Sequence, residues 1–74
     1  MKSSPLTNTL KGAIQRNGYS GVRLAKRIGL PYQTLIYRYK HPATWRFCEW
    51  AAILRNIEFT EDELKIIGKE VKGL

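Results

Sequence analysis

The order of apolar and polar positions along the chain predicts five helices. Apolar residues recur at spacings of three and four, the helical period, in five segments separated by glycine, proline or asparagine. The predicted helices cover about residues 6–17, 21–28, 31–40, 46–56 and 61–71. The pattern indicates one small all-α domain spanning residues 1–74, with a flexible polar lead at 1–5 and a frayed end at 72–74.

A tight turn joins the second and third predicted helices. Leu24, Ala25 and Ile28 share one face of the second helix. Gly29 ends it, because glycine adopts the left-handed conformation without a side-chain clash. Pro31 is suited to the start of the following helix. The chain is organised around this pair of helices.

The third helix has an apolar side and a polar side. Leu35 and Tyr39 lie four residues apart and are predicted to point inward. The rest of its surface carries Tyr32, Gln33, Ile36, Tyr37 and Arg38. Most of these side chains can hydrogen-bond or stack.

These residues resemble a helix-turn-helix of the phage Cro and lambda-repressor type, the XRE-like family. The match rests on the small Ala25 inside the first helix of the pair and on the turn glycine Gly29 four residues later. Four apolar residues surround them: Leu24, Ile28, Leu30 and Leu35. Residues 29–35, followed by residues 39–42, are similar to the corresponding segment in one small branch of phage regulators. The alternative is an ordinary helical hairpin with a glycine turn.

The resemblance implies a sequence-specific double-stranded DNA-binding transcriptional regulator that reads the major groove with its third helix. By position, the base-reading residues would be Tyr32, Gln33, Thr34 and Tyr37. The phosphate-binding residues would be Gly21, Arg23, Arg38, Lys40 and Arg46. Two of these depart from the family pattern. Gly21 stands where members often carry a glutamine, so a phosphate contact there comes from backbone amides, and Arg46 stands where a threonine often opens the fourth helix.

Charge is distributed unevenly along the chain. Residues 1–48 contain nine Lys and Arg and no Asp or Glu, while all six acids and four further bases follow. The two parts carry +9 and −2, which gives the net charge of +7. A polyanion-binding surface requires such an excess of bases, although plain solubility is the simpler explanation. Lys2 in the lead is a further candidate for a phosphate contact.

The sequence predicts no catalytic residue, metal site or cofactor, and so no enzyme. The only histidine, His41, precedes Pro42 at a helix end, and Cys48 is expected as a buried thiol in an apolar helix. Three consecutive acids cap the start of the fifth helix together with Thr60: Glu61, Asp62 and Glu63.

Aromatic residues interleave with bases around the end of the third helix, which is also typical of single-strand or RNA binding. Helical spacing instead places Tyr39, Phe47 and Trp50 in the core, with the fourth helix as the central core helix. Tyr32 and Tyr37 are then the exposed aromatics.

The expected partners are double-stranded DNA and a second copy of the chain. One face of helix five suffices to dock on helix four, so its extra apolar residues suggest either a homodimer surface or a closely covered core: Leu64, Ile66, Ile67 and Val71. A protein-interaction module that docks on a second repressor is the other alternative. No membrane span or signal peptide is predicted, and the expected location is the bacterial host cytoplasm.

Overall fold

The computed structural model describes residues 4–73, and these form five α-helices and one short 3-10 helix. The α-helices are α1 (Pro5–Arg16), α2 (Gly21–Ile28), α3 (Tyr32–Lys40), α4 (Phe47–Asn56) and α5 (Glu61–Lys72). The 3-10 helix, Pro42–Thr44, lies in the predicted loop between α3 and α4. The predicted small all-α domain with five helices is confirmed.

The predicted lead at residues 1–5 is shorter in the structure. Ser4 caps α1, since its Oγ accepts the Thr7 amide at 3.1 Å. The Thr7 hydroxyl donates to the Tyr39 carbonyl at 2.8 Å, so the start of α1 is bonded to the end of α3. Met1–Ser3 of the lead and the final Leu74 lie outside the described residues. The predicted fraying from residue 72 is not seen at Lys72, which is helical.

Local signals set the other helix ends, as predicted for Gly29 and for the cap at Thr60. Ser20 Oγ accepts the Arg23 amide at 3.2 Å. Gly29 ends α2 with φ of 73°, in the left-handed region that favours glycine. Thr60 and Glu63 form the reciprocal pair of a capping box, with bonds of 2.8 and 3.2 Å. These caps fix where α2 begins and ends and where α5 begins.

The core joins α1, α2 and α3 with one side of α4. Its buried members are Leu10, Ala13, Ile14, Leu24, Ala25, Leu35, Tyr39, Ile53 and Ile57. Burial of each leucine or isoleucine side chain contributes about 1.5–3 kcal/mol. Burial also raises the pKa of Tyr39 to about 12, with a smaller contribution from Tyr32. The inward positions predicted for Leu35 and Tyr39 are confirmed.

The prediction that α4 is the central core helix is wrong. Only Glu49 and Ile53 of this helix are buried, and they lie on one narrow side. Phe47 is 90% exposed and Leu54 is 53% exposed, and Cys48 is exposed as well. Because the helix is apolar on two sides, its pattern did not reveal which side meets the core.

α5 packs mainly against α1, and not against α4 as predicted. Arg16 of α1 donates from Nη2 to Glu63 Oε1 at 2.6 Å and to the Glu58 carbonyl at 2.7 Å. Asn17 adds two bonds to the Glu58 backbone, at 3.0 Å each. These bonds attach the chain entering α5 to the end of α1, which leaves part of α4 uncovered.

Candidate nucleic-acid interface

The outer side of α3 carries the exposed residues predicted to read base edges. Tyr32 and Tyr37 are 46% and 49% exposed, and Gln33 is exposed too. Thr34 is half-buried. The helix presents three of the four predicted base-reading residues to solvent, while its other side is held in the core.

Tyr32 packs against the start of α2. A Cβ atom added at Gly21 would lie 3.2 Å from Tyr32 Cε1, which is tighter than ordinary contact. The absence of a side chain at Gly21 therefore lets the tyrosine ring lie close to the α2 backbone. The structure brings a predicted phosphate-binding position and a predicted base-reading residue into direct contact.

Tyr37 has a ring partner that the sequence interpretation did not assign. Its ring centroid lies 4.5 Å from that of His41, with the two planes inclined by 40°. Such a tilted pair restrains the tyrosine ring. His41 directly follows the last residue of α3, and its spacing of four positions from Tyr37 was the available signal.

Among the predicted phosphate-binding residues, Arg23, Lys40 and Arg46 are exposed. None of the three forms an ion pair with a carboxylate within residues 4–73. Arg23 also lies over the Tyr19 ring, at 5.9 Å from the centroid. These three cations are open to an anionic ligand.

Arg38 differs from the other predicted phosphate-binding residues because it is paired inside the protein. Its Nε donates to Glu49 Oε1 at 3.0 Å and its Nη2 to Glu49 Oε2 at 3.3 Å, and both side chains are largely buried. This two-point geometry is the strong form of an arginine–carboxylate bond. It joins the last turn of α3 to the first turn of α4.

The Glu49 carboxylate is held in its charged form. Burial alone raises its pKa. The carboxylate accepts hydrogen bonds from Arg38 and from the Arg46 amide, the latter at 2.9 Å, and positive charges lie nearby. These interactions outweigh burial and lower the pKa of Glu49 below its usual value. The negative charge thus neutralises Arg38 and caps α4 at the same time.

α2 adds two basic residues, Lys26 and Arg27, that the sequence interpretation did not assign to the site. They line a shallow groove with Arg23 and Tyr19. Arg27 Nε donates to Asn56 Oδ1 at 3.0 Å, which fixes this side chain next to the end of α4. The spacing of three and four residues was the signal that these bases share a side of α2.

No metal-binding cluster of three His, Cys, Asp or Glu residues occurs in residues 4–73. Cys48 was predicted to be a buried thiol, and its exposure corrects that prediction. None of the described helices is long and apolar enough to cross a membrane.

Comparisons with known proteins add no further assignment. No family model, curated protein or solved structure matches this chain. The resemblance to Cro-type regulators rests on the sequence alone and stays a prediction.

Proposed function

We propose that this protein is a sequence-specific double-stranded DNA-binding transcriptional regulator that places α3 in the major groove. The observation that supports this is the division of α3 into two sides. Leu35 and Tyr39 are buried. Tyr32, Gln33 and Tyr37 are exposed. A helix anchored in this way fits the major groove, where each base pair presents a distinct pattern of donors and acceptors.

In this proposal each exposed residue of α3 has a chemical role. The Gln33 amide pairs with adenine, which offers one acceptor and one donor in the groove. The hydroxyls of Tyr32 and Tyr37 hydrogen-bond to base edges, or their rings pack on a thymine methyl group. Thr34, being half-buried, contacts a base or a phosphate at the edge of this set.

Phosphate contacts come from the exposed bases beside α3. Arg23, Lys40 and Arg46 are not paired with carboxylates in the described residues, and backbone amides near Gly21 add donors at the start of α2. We assign Arg38 to holding α3 on α4, since Glu49 already binds its guanidinium.

The proposal includes a second copy of the chain on the DNA. A single module of this size buries about 600–1,000 Å² on DNA, so it touches few base pairs. Two copies on an inverted repeat, with half-site centres about 10–10.5 bp apart, double the number of base pairs that are read. As the resemblance to phage Cro proteins implies, the regulator would act in a bacterial host cytoplasm.

Fluorescence anisotropy across a range of salt concentrations tests the proposal. Each neutralised phosphate contributes about 0.9 to the slope of log affinity against log salt, so duplex binding should weaken steeply. Lys40→Ala should lower the slope by about one. Lys65→Ala, an exposed base on α5, is the matched control and should leave the slope unchanged.

Competition separates the alternatives in the same assay. Displacement by single strands or RNA more readily than by duplex would favour a single-strand binder. A flat salt response, together with co-purification of a second repressor, would favour the protein-interaction module.

A further inference from the structure

A row of three exposed side chains follows the outer side of α3. Gln33, Tyr37 and His41 are spaced four residues apart, so each side chain lies one turn from the next. His41 directly follows the last residue of α3. Because Gln33 and Tyr37 are predicted base readers and His41 is not, the row extends the candidate base-reading surface by one residue beyond the helix.

The backbone of His41 is held on both sides although its side chain is exposed. Its amide donates to the Tyr37 carbonyl at 2.9 Å, which continues the hydrogen bonding of α3. Its carbonyl accepts the Thr44 hydroxyl at 2.6 Å and the Thr44 amide at 2.9 Å. Since three hydrogen bonds fix the peptide groups around this residue, the imidazole is attached to a fixed point beside Tyr37.

The imidazole of His41 covers one face of the Tyr37 ring. Their centroids lie 4.5 Å apart, at the short end of the range of about 4.5–7 Å for aromatic pairs. The two planes are inclined by 40°, so the rings do not meet in the perpendicular edge-to-face arrangement. The covered face of the phenol ring is therefore closed to a DNA base, whereas the hydroxyl group lies at the tip of a side chain that is 49% exposed.

This geometry distinguishes two ways in which a tyrosine contacts a base. Packing on a thymine methyl group uses a face of the ring, while a hydrogen bond to a base edge uses the hydroxyl group. Along the row, His41 covers the Tyr37 ring from one side and Gln33 lies one turn away on the other. The hydroxyl group both donates and accepts, so it suits the base edges of the major groove better than the covered ring does.

We infer that Tyr37 reads a base edge through its hydroxyl group and that His41 is the positioning residue that holds the phenol ring for this contact. The inference rests on the proposed function, because it assigns one mode of reading to a residue of α3 that is proposed to face bases. Ordering a free side chain at an interface reduces affinity by about two- to tenfold. A ring that is already held in the free protein avoids part of this loss.

Fluorescence anisotropy on a duplex that the parent chain selects from a random library tests the role of the hydroxyl group. Tyr37→Phe removes only this group and should weaken binding about three- to tenfold and relax the preference at one base pair. Tyr32→Phe is the matched control, because Tyr32 is 46% exposed, and it should not relax the same base pair. Uracil in place of each thymine removes a methyl group. Its effect should be equal in the parent chain and in Tyr37→Ala, because no methyl contact is lost with the ring.

Two substitutions of His41 test the positioning role on the same duplex. His41→Ala should lower affinity about two- to tenfold and relax the base pair that Tyr37→Phe relaxes, because the phenol ring is then free to move. His41→Phe keeps a ring beside Tyr37 but cannot hydrogen-bond to DNA, so it should restore the affinity and the base preference of the parent chain. The imidazole is exposed, and circular dichroism checks that both variants fold.

Two results would overturn the inference. The first is parent-like binding by Tyr37→Phe together with a uracil effect that disappears in Tyr37→Ala, which would indicate packing on a methyl group. The second is an equal loss in His41→Ala and His41→Phe. Gln33→Ala separates either result from failure of the proposed function: if it relaxes a base position while Tyr37→Phe does not, α3 reads DNA and only the inference fails. If no duplex is selected, both fail.

Discussion

The outer sides of α3 and α4 both expose aromatic residues, but they differ in chemistry. Tyr32 and Tyr37 on α3 carry hydroxyl groups, and Tyr37 lies three positions before the exposed Lys40. Phe47 on α4 has no polar atom and borders an apolar groove. Hydroxyls beside cations suit a polar anionic ligand, whereas a bare aromatic ring suits another apolar surface. Aromatic exposure alone therefore does not define a surface, because the two sides of this small domain differ in the ligands that they suit.

The largest expected contrast is between a buried and an exposed apolar side chain, Leu35 of α3 and Ile66 of α5. Leu35→Ala removes a fully buried side chain and should lower the free energy of unfolding by about 2–5 kcal/mol. Ile66→Ala removes a side chain of the same class from an exposed position and should change it by less than about 0.5 kcal/mol. Urea denaturation at one fixed protein concentration measures both. Equal losses of unfolding free energy in the two variants would contradict the burial of Leu35 and the exposure of Ile66.

The next largest effect on stability is expected at the buried Arg38–Glu49 pair, which links α3 to α4. Glu49→Gln removes the charge that Arg38 binds and should cost about 1–3 kcal/mol. The matched control is Glu63→Gln, whose partner Arg16 is much more exposed, so it should cost less than about 1 kcal/mol. If both variants lost the same stability, the Arg38–Glu49 pair would not be the contact that holds α3 on α4.

The same pair predicts a pH dependence. The pKa of Glu49 is lowered in the folded protein from its ordinary value of 4.5. The unfolded state then binds more protons in this range, so the stabilisation is complete above pH 4.5 and is lost as the pH falls through the lower folded pKa. Glu49→Gln should flatten this part of the curve of unfolding free energy against pH. An unchanged curve would contradict the assignment.

A smaller effect is expected at the contact between α2 and α3. Gly21→Ala would bring a methyl group to 3.2 Å from the Tyr32 ring, so the ring must shift by a few tenths of an ångström. Duplex affinity should fall severalfold, and the loss should disappear in a Tyr32→Ala background, because the ring is then absent. Gly12→Ala, where an added Cβ meets nothing within 4 Å, is the control and should leave affinity unchanged. Anisotropy on one duplex measures the parent chain and the four variants: Gly21→Ala, Tyr32→Ala, the double variant and Gly12→Ala.

Helix ends and the turn could be predicted because their signals are local. Ser20, Gly29 and Thr60 act within three or four residues of their own positions. The inward side of α3 was equally clear, since Leu35 and Tyr39 are the apolar residues at helical spacing. The exposure of Tyr32 and Tyr37 could be predicted from the same helical period.

Contacts between helices were not predictable in this way. The Arg38–Glu49 pair joins residues eleven positions apart on two helices, and no periodicity within one helix encodes it. The exposure of Phe47 was missed because the apolar pattern of α4 is satisfied by either side facing the core. The approach of Tyr32 to Gly21 depends on how closely α2 and α3 cross, which only the assembled structure shows.

Selection of binding sites from a random duplex library tests most directly the claim that α3 reads DNA sequence. The parent chain should enrich an inverted repeat, and Gln33→Ala should cost about 1–3 kcal/mol on the selected site and relax one base position in each half. Lys40→Ala should weaken all sequences alike. Failure to enrich any sequence, or the same sequence-independent loss in both variants, would contradict the account.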